Sequence, residues 1–139
     1  MFLIDTNIFL EVMLGQEKSA EVKDFFNRAD FSSLFVSDFS LFSIGIIYFR
    51  EKNPGPFIKL VNEDIGMSGL RVASLDLPDY PKIVKCANEY HLDFDDAYQY
   101  AVAERNDLTI VSFDHGFDKT KKGGYFPWIS SMINNGLDI

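Results

Sequence analysis

The chain has 139 residues, a length that predicts one domain, since two would leave about 70 residues each and too little interior to bury. Hydrophobic residues make up 47% of it and aromatic residues 15%, enough to fill a core and to exclude a disordered chain. Thirteen basic residues stand against 21 acidic ones, a net charge of −8, which excludes a protein that coats nucleic acid or an anionic membrane by charge alone.

The single cysteine, Cys86, excludes an internal disulfide framework and a paired-cysteine zinc site. Two histidines, His91 and His115, exclude a histidine-rich metal cage. The most apolar run, Phe39 to Phe49, falls well short of the roughly 20 residues a membrane-spanning helix needs. The amino terminus has no basic flank and an early acid at Asp5, so it does not read as a signal peptide. A soluble, cytoplasmic protein without a membrane partner is expected.

In chain order, Phe2-Leu3-Ile4 is an unbroken apolar run, as in a strand buried on both faces. Ser19 is placed to cap a helix over Ala20 to Arg28, with Val22, Phe25, Phe26 and Ala29 on one side. Leu34-Phe35-Val36 predicts a second buried strand. Ser37 then caps a helix from Asp38 to Arg50 that carries Phe39, Phe42, Ile46 and Phe49 at helical spacing. Pro54-Gly55-Pro56 turns the chain into a helix containing Phe57, Ile58, Leu60, Val61 and Ile65. Arg71 to Leu75 predicts a third strand, and Tyr80 to Tyr90 a helix with Ile83, Val84 and Ala87 inward. Asp93 is placed to cap a helix running to Arg105, and Leu108-Thr109-Ile110-Val111 reads as the fourth strand. Tyr125-Phe126-Pro127-Trp128 is expected to add a short edge strand. Short strands without a polar face, alternating with helices, predict an α/β fold: a three-layer α/β/α sandwich around a short-stranded, mainly parallel sheet.

In such sheets chemistry collects beyond the carboxyl ends of the strands. Asp5 directly follows the first strand, Asp114 lies three residues beyond Val111, and Asp96 sits in the first turn of the helix that precedes the fourth strand. Each also has a local use: Asp5 as a helix cap, Asp93-x-x-Asp96 as a capping box, Asp114 as a turn residue. Their convergence at one edge sets like charges close together unless something neutralises them. Hard oxygen ligands of this kind suit Mg²⁺ or Mn²⁺.

These residues resemble the PIN-domain family, and within it the VapC-type ribonuclease toxins of type II toxin–antitoxin pairs. The resemblance is carried by Phe2-Leu3-Ile4-Asp5-Thr6-Asn7, Asp95-Asp96-Ala97 and Leu108-Thr109-Ile110-Val111-Ser112-Phe113-Asp114, in family order and spacing over the whole chain. It implies a single PIN-like domain over 1–139 and a metal-dependent endoribonuclease directed at single-stranded RNA. Asp5, Asp96 and Asp114 would be its catalytic, Mg²⁺- or Mn²⁺-holding residues, and Thr6 and Asn7 would support Asp5. Asp118, four residues past Asp114, stands where some members carry a further acid. The resemblance also implies a cognate antitoxin and a homodimer. The sequence departs from the family at Ser43, where a helix glutamate is usual; a hydroxyl there can support a metal-bound water but cannot balance its charge.

No Ser–His or Cys–His machinery competes with metal-activated water as the means of phosphodiester attack. Lys119, Lys121 and Lys122 are candidate RNA phosphate contacts, or else a solvated turn. The alternative to a nuclease is a degenerate PIN-like module that binds a metal or protein without cutting. A phosphoacceptor receiver domain is more distant, because Phe35-Val36-Ser37-Asp38 does not match its arrangement.

Overall fold

The computed structural model describes residues 1–127 and Ser131. Strands β1 (Phe2–Ile4), β2 (Leu34–Ser37), β3 (Arg71–Ala73), β4 (Thr109–Ser112) and β5 (Gly123–Tyr125) form one sheet in the order β3-β2-β1-β4-β5, every pair parallel. The helices are α1 (Thr6–Met13), α2 (Ser19–Arg28), α3 (Asp38–Arg50), α4 (Gly55–Lys59), α5 (Tyr80–Tyr90) and α6 (Phe94–Asn106). Successive side chains of β1 enter opposite layers, as the two-residue repeat of a strand requires. Phe2 and Ile4 join Ile8, Phe25 and Ile44 on the side of α1, α2 and α3, while Leu3 joins Ile83, Cys86 and Ala101 on the side of α5 and α6. The expected α/β/α sandwich is what the chain forms.

The first layer is aromatic: Phe25 meets Phe26 and Phe126 edge-on, with centroids 5.4 and 5.3 Å away. The second mixes the alanines of α6 with larger side chains, the Tyr100 ring lying 5.0 Å from that of Tyr90. Ala97 to Ala103 is buried without interruption, so α6 has almost no solvent face over two turns. Among the described residues no helix is long and apolar enough to cross a membrane.

Local differences from the sequence reading have physical causes. Ser19 is the first residue of α2, and Lys18, which offers no side-chain acceptor, takes the cap position. In α3 the buried residues are Ser40, Ile44 and Tyr48, whereas Phe42, Ile46 and Phe49 are 65%, 51% and 62% exposed. Apolar residues lie all round this helix, so spacing alone does not single out its core face. Val84 is likewise exposed, and Cys86 takes the inward place beside Ile83. The third strand stops at Ala73, and β4 starts one residue late, at Thr109.

The edge strand lies at Gly123–Tyr125 and shares only Tyr125 with the predicted segment; Phe126 and Pro127 have left the strand, and Trp128 falls outside the described residues. A Cβ on Gly123 would stand 2.0 Å from the Phe117 carbonyl oxygen, so only glycine lets β5 run this close to the preceding turn.

Candidate functional site

The strand order reverses at β1, which has β2 and β3 on one side and β4 and β5 on the other. The crevice beyond its carboxyl end is the place where such sheets hold ligands. Asp5 stands there, in extended backbone (φ −70°, ψ 156°), capping α1. Its Oδ1 accepts from the Thr6 amide at 2.8 Å and from Gln99 Nε2 at 3.0 Å; its Oδ2 accepts from Ser112 Oγ at 2.7 Å. Only 7% of the residue is exposed, and no basic side chain pairs with it among the described residues. Burial pushes its carboxyl pKa up against these three hydrogen bonds, and the nearby charge of Asp114 adds to the rise.

A buried polar frame holds this carboxylate. Gln99 Nε2 also donates to Ser40 Oγ at 2.9 Å, and Ser40 Oγ lies 2.7 Å from Thr6 Oγ1. Ser37 caps α3 through the Ser40 amide at 3.0 Å and donates to Ser40 Oγ at 3.2 Å. On the other side, Asn7 Nδ2 and the Asp114 amide both donate to Ser112 Oγ, at 3.1 and 2.9 Å. Thr6 therefore supports Asp5 directly, and Asn7 does so through Ser112.

Asp96 is half-buried in the first turn of α6. Burial first, then the charges of Asp95, Asp114, Asp5 and Asp93, push its pKa up to about 7. Its capping-box use is not realised, because Asp93 makes no side-chain cap bond. Asp114 is exposed at the start of a short 3₁₀ turn, His115–Phe117, and accepts from the Gly116 amide at 2.8 Å. The three acids thus feel one another across one cleft. Among the described residues, however, no three carboxylates, histidines or cysteines are grouped closely enough to hold a single ion by themselves.

The remaining candidates divide. Asp118 ends the 3₁₀ turn, with Oδ2 2.7 Å from His115 Nδ1. Lys119 and Lys121 are exposed on the same segment. Lys122 is not brought to the cleft: its Nζ lies 2.5 Å from Oδ1 of Asp107, at the amino end of β4. Ser43 is half-buried one turn beyond Ser40, and its side chain makes no hydrogen bond among the described residues. The nearest acid on α3, Asp38, accepts instead from Tyr98 Oη at 2.7 Å.

Sequence reasoning passed over Gln99, Ser40 and Ser112, all buried at the heart of the frame. One signal was present: Gln99 is the sole strongly polar side chain between Ala97 and Ala103, one turn after Asp96.

A carboxylate at the switch point of a parallel sheet, faced by two more acids, is a site its family can be asked about. The sequence matches the PIN domain over residues 2–123. The chain belongs to the PIN-domain family. No curated protein matches it in sequence. Solved structures share the PIN fold at low identity. A toxin–antitoxin complex from Klebsiella pneumoniae superposes with a TM-score of 0.71 and 16% identity, over 90% of this chain and 97% of that one. VapC20 of Mycobacterium tuberculosis, a toxin that cleaves the sarcin–ricin loop, gives 0.69 and 15%, over 85% and 93%. FitAcB from Neisseria gonorrhoeae gives 0.60 and 19%, over 84% and 89%.

Proposed function

We propose that this PIN domain, a single domain over 1–139, is the toxin of a toxin–antitoxin pair and acts in the cytoplasm as a metal-dependent endoribonuclease on single-stranded RNA. The observation that carries the reading is Asp5, a buried carboxylate at the switch point with no cationic partner among the described residues, repelled by Asp114 and in turn repelling Asp96. Family membership and the likeness to a toxin–antitoxin complex and to an RNA-cleaving toxin support it.

The donors fit Mg²⁺ or Mn²⁺. They are hard oxygens, and Mg²⁺ commonly keeps several waters while using only one or two carboxylates, so it needs no closed cage of three. When bound, such an ion would supply Lewis-acid contact to the scissile phosphate, an activated water and support for the leaving 3′ oxygen. The chain's own contribution is orientation. Three donors fix Asp5 in one rotamer, the Gly116 amide fixes Asp114 at the cleft mouth, and α6 brings Asp96 in from its first turn. Asp118 is a further candidate ligand from the same turn. Lys119 and Lys121 are exposed just past Asp114, where they can meet RNA phosphates.

A basic antitoxin segment suits a chain of charge −8 with uncompensated acids in its cleft. A homodimer belongs to the same proposal. Phe42, Ile46 and Phe49 lie within about 60° of one another around α3, flanked by Asp38 and by Arg50, which has no ion pair among the described residues. A second copy laid antiparallel would cover the apolar stripe and bring each Arg50 to the other copy's Asp38.

Asp5→Asn tests the nuclease. It removes a charge with little change in volume and should lower single-stranded RNA cleavage at saturating Mn²⁺ by about 10²-fold or more, the scale on which a lost electrostatic contact to a transition state is felt. A variant that folds and cuts as fast as the parent leaves the second reading, a degenerate binding module. Ser43, in place of the usual acid, is the observation favouring that alternative.

A further inference from the structure

Gln99 is 2% exposed. Both protons of its Nε2 are used, one on Asp5 Oδ1 at 3.0 Å and one on Ser40 Oγ at 2.9 Å, while its Oε1 is buried without a hydrogen-bond partner. An unbranched apolar side chain of the same length would fill this space without stranding a carbonyl oxygen, an arrangement that costs stability. What the amide alone provides is its pair of donors.

A carboxylate has about four lone-pair positions, two on each oxygen. On Asp5 Oδ1 both are taken, by the Thr6 amide and by Gln99. On Oδ2 one is taken, by Ser112. One position is left, and it is on Oδ2. We propose that Gln99 determines which cation this cleft accepts, by saturating Oδ1 so that Asp5 can bind a divalent ion through a single oxygen only. The proposal rests on the reading of the cleft as a divalent-metal site. Mg²⁺ and Mn²⁺ take near-octahedral sets of single oxygens and waters, whereas Ca²⁺ takes six to eight oxygens and often uses both oxygens of one carboxylate. Saturating Oδ1 therefore discriminates against the larger ion. The amide is also held in place: Ser40, its other acceptor, is tied to Thr6 and Ser37, so Gln99 cannot swing aside without breaking a buried network.

The test is thermal melting of the full chain titrated separately with MnCl₂ and CaCl₂, for the parent, Gln99→Met and Ser112→Ala. Gln99→Met keeps the length and removes the donors, so Oδ1 opens. The Mn²⁺-over-Ca²⁺ preference should fall by about tenfold, in the range seen when groups that orient metal ligands are removed. Ser112→Ala opens only Oδ2 and should leave that ratio unchanged. A ratio that Gln99→Met does not move, in a parent that binds Mn²⁺, overturns this inference alone. A parent indifferent to both ions overturns the metal reading and this inference with it. Should Gln99→Met fail to fold, infrared difference spectra of the parent with and without Mn²⁺ decide the matter. The carboxylate bands lost in Asp5→Asn should show the wide stretch separation of single-oxygen binding; the narrow separation of two-oxygen binding overturns the proposal.

Discussion

The two ends of α6, a helix of thirteen residues, treat charge in opposite ways. At its carboxyl end Arg105 reaches Asp76 Oδ2 at 3.0 Å and Asp79 Oδ2 at 3.1 Å, and the Asp107 that follows is held below the usual carboxylate range by its bond to Lys122. At its amino end Asp96 has acids around it, and burial among them pushes its carboxyl up to about 7. An excess of acid over base on the whole chain does not by itself produce this contrast; the ion-paired bases next to α6, Arg105 and Lys122, stand at its carboxyl end. Repulsion is concentrated where the sheet opens, and it is available to be relieved by a cation.

The largest expected effect at the amino end is therefore that of a divalent ion. At about 100 times its dissociation constant, one-site linkage adds roughly 2.7 kcal/mol, a rise of about 5–10 °C in melting temperature for a domain of this size. A melting curve indifferent to millimolar Mn²⁺ and Mg²⁺ would make the two ends of α6 electrostatically alike in practice, against the contrast drawn from their partners.

A smaller effect appears in pH. An acid whose pKa is raised on folding holds its proton more firmly in the folded state than in the unfolded one. Its contribution is fully present below the ordinary value of 3.8 and is lost as pH rises through about 7. In chelator, the melting temperature should fall from pH 5 to pH 8, and Asp96→Asn should flatten that fall. A parent whose stability climbs over the same interval would show that Asp96 is compensated after all.

The smallest effect belongs to the other end. Arg105 is more than a third exposed, so Arg105→Ala should cost no more than about 1 kcal/mol in chemical denaturation, and less in high salt. A loss well beyond that would mean this pairing braces the fold rather than merely balancing its charge.

Parts of this contrast were legible beforehand. Asp5 and Asp114 are placed by strands whose apolar runs cannot be mistaken, because a strand buried on both faces leaves no polar alternation. Asp96 follows from its position in a helix start. What a linear reading misses is pairing across distance: Lys122 looks like a partner of its neighbours Lys119 and Lys121, yet its counterion is Asp107, fifteen positions back. Gln99 and Ser40 were hidden for a related reason, since a buried polar residue is recognised by what it touches, and their contacts span 94 and 59 positions. The apolar stripe of α3 was legible as a stripe but not as a surface, because Ile44 and Tyr48 on the opposite side are just as apolar.

The short outer strands carry a consequence for solubility. A sheet bounded by long, flat, apolar edges invites other chains to extend it, and natural sheets blunt that hazard with brevity and charge. Here both outer strands, β3 and β5, are three residues long. On β3, Arg71 lays its guanidinium 4.5 Å over the Phe35 ring and donates to the Ser32 carbonyl at 2.6 Å. At that flank a fixed cation stands beside the ladder, and with only three residues at either rim the sheet offers another chain little length to extend.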